Sequence, residues 1–333
     1  MWFVLSVFIL SLGIFFSFSP LAGWYGLAKI SEMVFVGWVV ARNSQTVKRI
    51  LPWALAVGVL GESVIGFFQF FLHHSLNGVF YFLGERNFSA QTPGIANASI
   101  NGHLVLRPYA TFPHPNVFAG FLLISLLFFL FVKQQNKFLR WTVLVVGSLM
   151  LALTLSRIAV FLWGVWICIF FLRTKFQEKK IGILMLILLL GISPFLGRFV
   201  FLSDGQSITQ RLLLLQISWK LFLSHPIFGS GINNFIFSLP LFLPISSRNL
   251  LQPVHTIFLL WLSQTGITGA FIAGIFFVKT VKKLSDKKTP YTIFLTSCAI
   301  SIVVIGLFDH YFLTLQQGQL LFALLLGLAW SFN

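Results

Sequence analysis

Six arginines stand apart from most of this chain's positive charge: Arg86, Arg107, Arg157, Arg198, Arg211 and Arg248, with Lys220 the one lysine on the side of the chain where they are expected to lie. A guanidinium fork suits two-point recognition of phosphate, whereas an ammonium is a hydrated point charge. The pattern points to an anionic, phosphate-bearing ligand. Histidine adds a second chemistry. His255 follows Gln252-Pro-Val at the mouth of an apolar run, and a pKa near 6.5 lets imidazole accept a proton at neutral pH. Asp309 and His310 close another apolar run, and Asp309 is a candidate to orient His255. With Glu85 and Asp204 it makes three scattered carboxylates on that side, with no paired motif for a divalent metal. Neither a metal nor another cofactor is therefore expected, and arginines must neutralise any anionic leaving group.

Three stretches carry most of the remaining polar chemistry. Arg107-Pro-Tyr-Ala-Thr-Phe-Pro-His-Pro-Asn116 has three prolines in ten residues, which makes a stiff, extended entry to the next apolar run. Asn116 can cap that run or touch a ligand. Arg157 lies between two apolar legs, a costly place unless it faces water or a partner, although a long side chain can also reach the headgroups. Arg211 lies seven residues before Ser218, on one face of a helical stretch. It is followed by His225-Pro-Ile-Phe-Gly-Ser-Gly-Ile-Asn-Asn234. There Gly229 and Gly231 permit positive φ and a concave turn, with Asn234 beside it. Glu62, inside an apolar run, needs a partner that the sequence does not name.

The elements that must position these residues are set by composition. The 333 residues are 57% hydrophobic and 9% charged, with mean hydropathy +0.92. Such a chain is no soluble domain; it reads as an all-α, polytopic membrane protein forming one transmembrane domain over 1–333. Ten spans are expected: 2–18, 22–41, 50–72, 116–132, 140–156, 157–172, 181–199, 255–278, 290–308 and 315–332. Four short loops, Arg42–Arg49, Lys133–Arg140, Arg173–Lys180 and Lys279–Lys288, hold 15 of the 23 Lys and Arg, 11 of them Lys. Loops of that kind stay cytoplasmic. They account for the pI of 10.4 and leave no case for a nucleic-acid partner. The stretch 140–172 would form a helix of about 50 Å, too long for one crossing. Because both flanking loops are basic, it reads as a tight helical hairpin with its tip near Ser156-Arg157.

This topology puts both termini in the cytoplasm and two large segments, 73–115 and 200–254, on the outer face. The second contains an amphipathic helix, with Ser207 or Thr209 as a cap and Pro226 just past its end, lying on the membrane surface. Met1–Ser19 has no basic n-region and reads as a retained helix rather than a cleaved signal. Cys168 and Cys298 fall inside spans as small hydrophobes.

The order Arg107…Thr111-Phe-Pro-His-Pro-Asn116, Leu153-Thr-Leu-Ser-Arg157, Arg211…Trp219…His225-Pro…Gly229-Ser-Gly231…Asn234-Phe and His255…Leu259…Gly266-Ile-Thr-Gly269 resembles the O-antigen ligase and polymerase superfamily over about residues 45–280. The resemblance implies a C-type glycosyltransferase fold in the bacterial inner membrane. Such an enzyme moves a glycan from an undecaprenyl-diphosphate carrier to a glycan, lipid or protein acceptor on the outer face, without metal. It implies that His255 is catalytic and that Arg157 and Arg211 hold the diphosphate; Arg107 is a further candidate for that charge from its own chemistry. Asn116, Asp309, Gly229, Gly231 and Asn234 are possible supporting residues. The chain departs from the family in its length, shorter by one or two N-terminal helices, and in Thr256, which stands where Asn often follows the histidine. Ligase and polymerase members share these motifs. A secondary transporter for an anionic solute or lipid is the rival from another class.

Overall fold

The structure, a computed structural model, describes residues 2–100, 103–133, 136–173, 205–243, 250–286 and 288–331. Thirteen helices and one small sheet are found among them. Nine of the ten expected spans coincide with helices, and the tenth, 181–199, lies outside the described residues, as do Arg198, Asp204 and Arg248. The helices of Ser44–Leu72 and Ile257–Ser285 are, by length and composition, long and apolar enough to cross a membrane. The expected all-α architecture needs one correction. Strands β1 (Asn97–Ile100) and β2 (His103–Leu106) pair antiparallel, with Asn97 opposite Leu106.

By its contacts the chain divides into two compact units. The first takes residues 1–42, 204–287 and 302–333. It contains α1 (Trp2–Phe15), α2 (Pro20–Arg42), α8 (Gly205–Ser224), α9 (Phe235–Phe242), α10 (Ile257–Ser285), the short α12 (Tyr311–Thr314) and α13 (Gln316–Trp330). Helices α2 and α13 pack closely because Gly37 and Gly327 face each other, so that a Cβ on Gly327 would lie 2.4 Å from the Gly37 carbonyl oxygen. Small residues let backbones approach in this way. The same pair is bridged by a closed polar ring. Lys29 donates to Glu32 and Gln316, and Gln316 donates to Glu32. Lys29 and Glu32, the charged residues inside the second span, are thus satisfied by each other and by Gln316 of α13.

Helix α8 is tied to the core by Leu214, Ile217 and Leu221, which cluster with Phe235 and Leu239 of α9, Val254, and Leu260 of α10. It starts at Gly205, so Ser207 and Thr209 lie inside the helix rather than at its cap. It also differs from a two-sided surface helix. Its outward side carries Ile208, Leu212, Leu215, Trp219 and Leu223, all exposed, so it is apolar on two opposite sides with polar residues along the edges.

The second unit takes residues 43–203 and 288–301. It comprises α3 (Ser44–Leu72), α4 (Val79–Phe82), the two strands, α5 (Pro115–Phe131), α6 (Lys137–Leu153) and α7 (Arg157–Arg173), with the first part of α11 (Pro290–Gly306). Helix α5 is buried along nearly its whole length, as expected of a helix that is apolar all round. Its end is closed by Arg140, which donates to the main-chain carbonyls of Phe129 and Leu130. The helical hairpin expected in 140–172 is present. Helix α6 stops at Leu153, Leu155 takes φ 56°, and α7 begins at Arg157. Trp163 on one leg donates to Ser148 on the other at 3.0 Å, fixing the two legs antiparallel.

Candidate active site

In the first unit, His255 lies in the non-helical approach to α10. The neighbouring Val254 is fully buried in the cluster that holds α8 and α9. Ser218, two turns on from Arg211, is also buried and donates to the Leu259 carbonyl at 3.2 Å. These contacts fix α8 beside the first turn of α10 and carry the exposed Arg211 to the edge nearest His255. From the other side, Gly306 packs against Ile257. That contact brings the segment after α11, with Asp309 and His310, to the same place. The His255 and His310 rings stand 5.7 Å apart at 67°. His310 bonds Thr314 through Nδ1 at 2.7 Å, and its main-chain N–H donates to Asp309 at 2.8 Å.

The electrostatics follow from this packing. Burial, then the Arg211 charge, then His310, push the His255 pKa down to about 4, against an upward pull from Asp309. Burial likewise lowers His310, which Asp309 partly restores. Both imidazoles are therefore neutral at pH 7. The Nδ1 atom of His255 is enclosed and has no hydrogen-bond partner among the described residues. A buried polar atom without a partner is uncommon, and in a cleft it marks a place for a ligand group or water. Sequence reasoning named His310 beside Asp309 but gave a role only to Asp309; the ring contact with His255 adds His310 to the site.

In the second unit, Arg107, Asn116 and the hairpin tip come together. Arg107 donates through Nε to the Thr154 carbonyl at 2.9 Å and through Nη2 to Asn116 Oδ1 at 2.7 Å. Arg157 is exposed three residues after Thr154, as the first residue of α7. Asn116 is not the helix cap. His114 is, its Nδ1 accepting from the Asn116 N–H at 3.1 Å. Glu62 has its partner: Thr111 donates to it through both its main-chain N–H and its hydroxyl. Glu85, one of the three carboxylates expected on the outer face, is buried and accepts from Leu76, Asn77 and Gln69. It staples the segment after α3 rather than serving a ligand.

Gly229, Gly231 and Asn234 have a packing explanation of their own. Helix α10 breaks at Gly266, which takes φ 63° and ψ −164°. The main-chain groups freed there pair with the loop after α8. Ser230 and Gly231 donate to the Ser263 and Gln264 carbonyls, and Ile267 and Thr268 donate to those of Pro226 and Ile227. A Cβ on Gly229 would lie 2.3 Å from the Gln264 backbone. The two glycines therefore permit contact between two backbones, not the cradling of an anion. Asn234 is fully buried and brackets Ser19, accepting from its N–H at 2.6 Å and donating to its carbonyl at 3.1 Å.

Residues 142–274 match the family model described as O-antigen ligase, and the match supports that superfamily for the chain. The matched region contains Arg157, Arg211, the Gly229–Asn234 loop and His255. No curated protein matches the chain.

Proposed function

We propose, taking the chain as a member of the O-antigen ligase superfamily, that it is an inverting, metal-independent glycosyltransferase. It takes a glycan from an undecaprenyl-diphosphate carrier and passes it to an acceptor hydroxyl on the outer face of the bacterial cytoplasmic membrane. The observation that carries this reading is His255: a neutral imidazole whose enclosed Nδ1 has no partner among the described residues, beside the Arg211 guanidinium. As the acceptor oxygen bonds the anomeric carbon, its proton passes to His255. The carbon–oxygen bond to the diphosphate breaks on the opposite face, and the diphosphate leaves with the electron pair. Arg211 and Arg157 stabilise the charge that builds there; preorganised donors of this kind contribute about 3 kcal/mol each. Asp309 favours the imidazolium that forms. Arg107, engaged through Nε and Nη2, serves the hairpin tip.

About ten spans, with both termini in the cytoplasm, complete the reading, and the outward apolar row of α8 supports a helix lying against lipid. The transporter alternative would draw on the broken helix at Gly266, since transporters line substrate sites with such breaks. Here the freed backbone groups pair with the loop after α8, which favours the enzyme. Ligase-type transfer to a different acceptor and polymerisation of the same repeat share this chemistry. The acceptor that turns over with purified protein decides between them.

Two outcomes test the reading. Transfer by purified protein from a lipid-diphosphate glycan should persist in EDTA; loss of activity would remove the metal-free displacement. Arg211→Lys should lower kcat/KM by about 10–100-fold, because the fork is lost while the charge stays. Lys220→Arg should remain within about 2-fold of the parent. Equal effects at the two positions would defeat the argument from guanidinium geometry.

The pH dependence has a definite sign. A base must be unprotonated to act, so kcat/KM should fall only as pH drops through the free-enzyme pKa of His255, about 4. The profile should be flat from about pH 5.5 to 8, and an acid limb near 6.5 would contradict the burial of this imidazole.

A further inference from the structure

The carboxylate of Glu62 sits within the apolar helix α3, where an ionisable group is expensive and its retention asks for a reason. Both of its oxygens accept from Thr111: Oε2 from the main-chain N–H at 3.0 Å and Oε1 from the hydroxyl at 2.7 Å. Seven residues along the same face of α3, buried Gln69 accepts from the N–H groups of Tyr109 and Ala110 and donates to the Ala110 carbonyl. Helix α3 thus grips three consecutive residues by their backbone. The middle one, Ala110, is held at φ 51°, a conformation that persists in a non-glycine residue only where the surroundings impose it.

The gripped segment is short and stiffened by proline on both sides, at Pro108 and Pro113. Two residues upstream of Tyr109 it presents Arg107, whose Nε holds the Thr154 carbonyl and whose Nη2 holds Asn116. Thr154 opens the hairpin turn, Leu155 within it is also forced to positive φ, and Arg157 closes it. A continuous series of hydrogen bonds and short peptide segments therefore runs from Glu62 through Thr111, Arg107 and Thr154 to Arg157. An amide at position 62 could not substitute fully, because its NH2 group would confront one of the two Thr111 donors.

We propose that Glu62 is a positioning residue for Arg157: through Thr111 and Arg107 it fixes the hairpin tip in the orientation that receives a diphosphate. This rests on the reading of Arg157 as a diphosphate ligand. Coupled residues are recognised by non-additivity, since a residue acting only through another has nothing left to lose once that other is gone.

The experiment measures the dissociation constant of undecaprenyl diphosphate, without a glycan, for the full-length protein in detergent micelles, with the thermal unfolding midpoint recorded in parallel. Arg157→Ala should weaken binding by about 10-fold or more, and Glu62→Ala by about 5–10-fold. Added to Arg157→Ala, Glu62→Ala should change binding by less than about 2-fold. Thr111→Ser, which retains both donors, should match the parent. Where Glu62→Ala yields too little folded protein, Glu62→Gln and Thr111→Ala replace it, each with a smaller loss of the same background dependence. An equal loss in both backgrounds, or none in the parent, overturns the proposal. If Arg157→Ala leaves binding unchanged while Glu62→Ala weakens it, the diphosphate role of Arg157 falls, and with it the positioning role of Glu62.

Discussion

His255→Ala should abolish glycan transfer, lowering kcat by about 10²–10⁴, while leaving the affinity for the lipid-diphosphate donor within a few-fold of the parent. The split arises because the imidazole handles the acceptor's proton, and the donor's charge is met by guanidinium groups. His255→Gln keeps a hydrogen-bonding side chain of similar reach but accepts no proton, so it should be almost as inactive. Turnover with a synthetic donor and equilibrium binding of the same molecule check both halves. If His255→Ala lost donor binding in proportion to turnover, the side chain would be a structural or donor contact and not the base.

Gly266→Ala should be severely damaging for a change of one methyl group. Gly266 takes φ 63° and ψ −164°, a region essentially reserved for glycine. An added Cβ would also lie 2.3 Å from the Ile227 carbonyl oxygen and 2.7 Å from the Gly229 nitrogen. Neither neighbour is a flexible side chain that could move aside. The expected result is a loss of about 4 kcal/mol or more, seen as failure to recover monodisperse protein. Gly274 offers an internal control on the same helix. Among the described residues nothing lies within 4 Å of its would-be Cβ, so Gly274→Ala should be neutral or stabilising by up to about 1 kcal/mol. Similar losses at both positions would mean that helix interior glycines matter for another reason than this backbone contact.

The sequence carried the helices well because apolar run length reports them directly. The hairpin between 140 and 172 was legible from two facts together, its excess length and the basic loops on both sides. Two kinds of feature were hidden. Strands Asn97–Ile100 and His103–Leu106 are too short for alternation to stand out, and Asn101-Gly102, the strongest short hairpin signal, was the cue overlooked. The roles of Gly229, Gly231 and Asn234 depend on which backbone approaches them, and Gln264 and Ser19 are distant in sequence. Residue type alone suggests an anion-binding turn equally well. In the same way, nothing local ties Glu62 to Thr111, 49 residues later. His255 and Arg211 could be nominated from their chemistry, whereas the depressed basicity of His255 comes from burial that only packing creates.

The bracket that Asn234 places around Ser19, with Gly231 seated against Ser17, has a practical corollary. The bend joining the first two helices acts as a doorstop for the loop that leads toward His255. Shortening the protein from its front end should therefore silence a residue more than two hundred positions away, even if every later helix still reaches the bilayer.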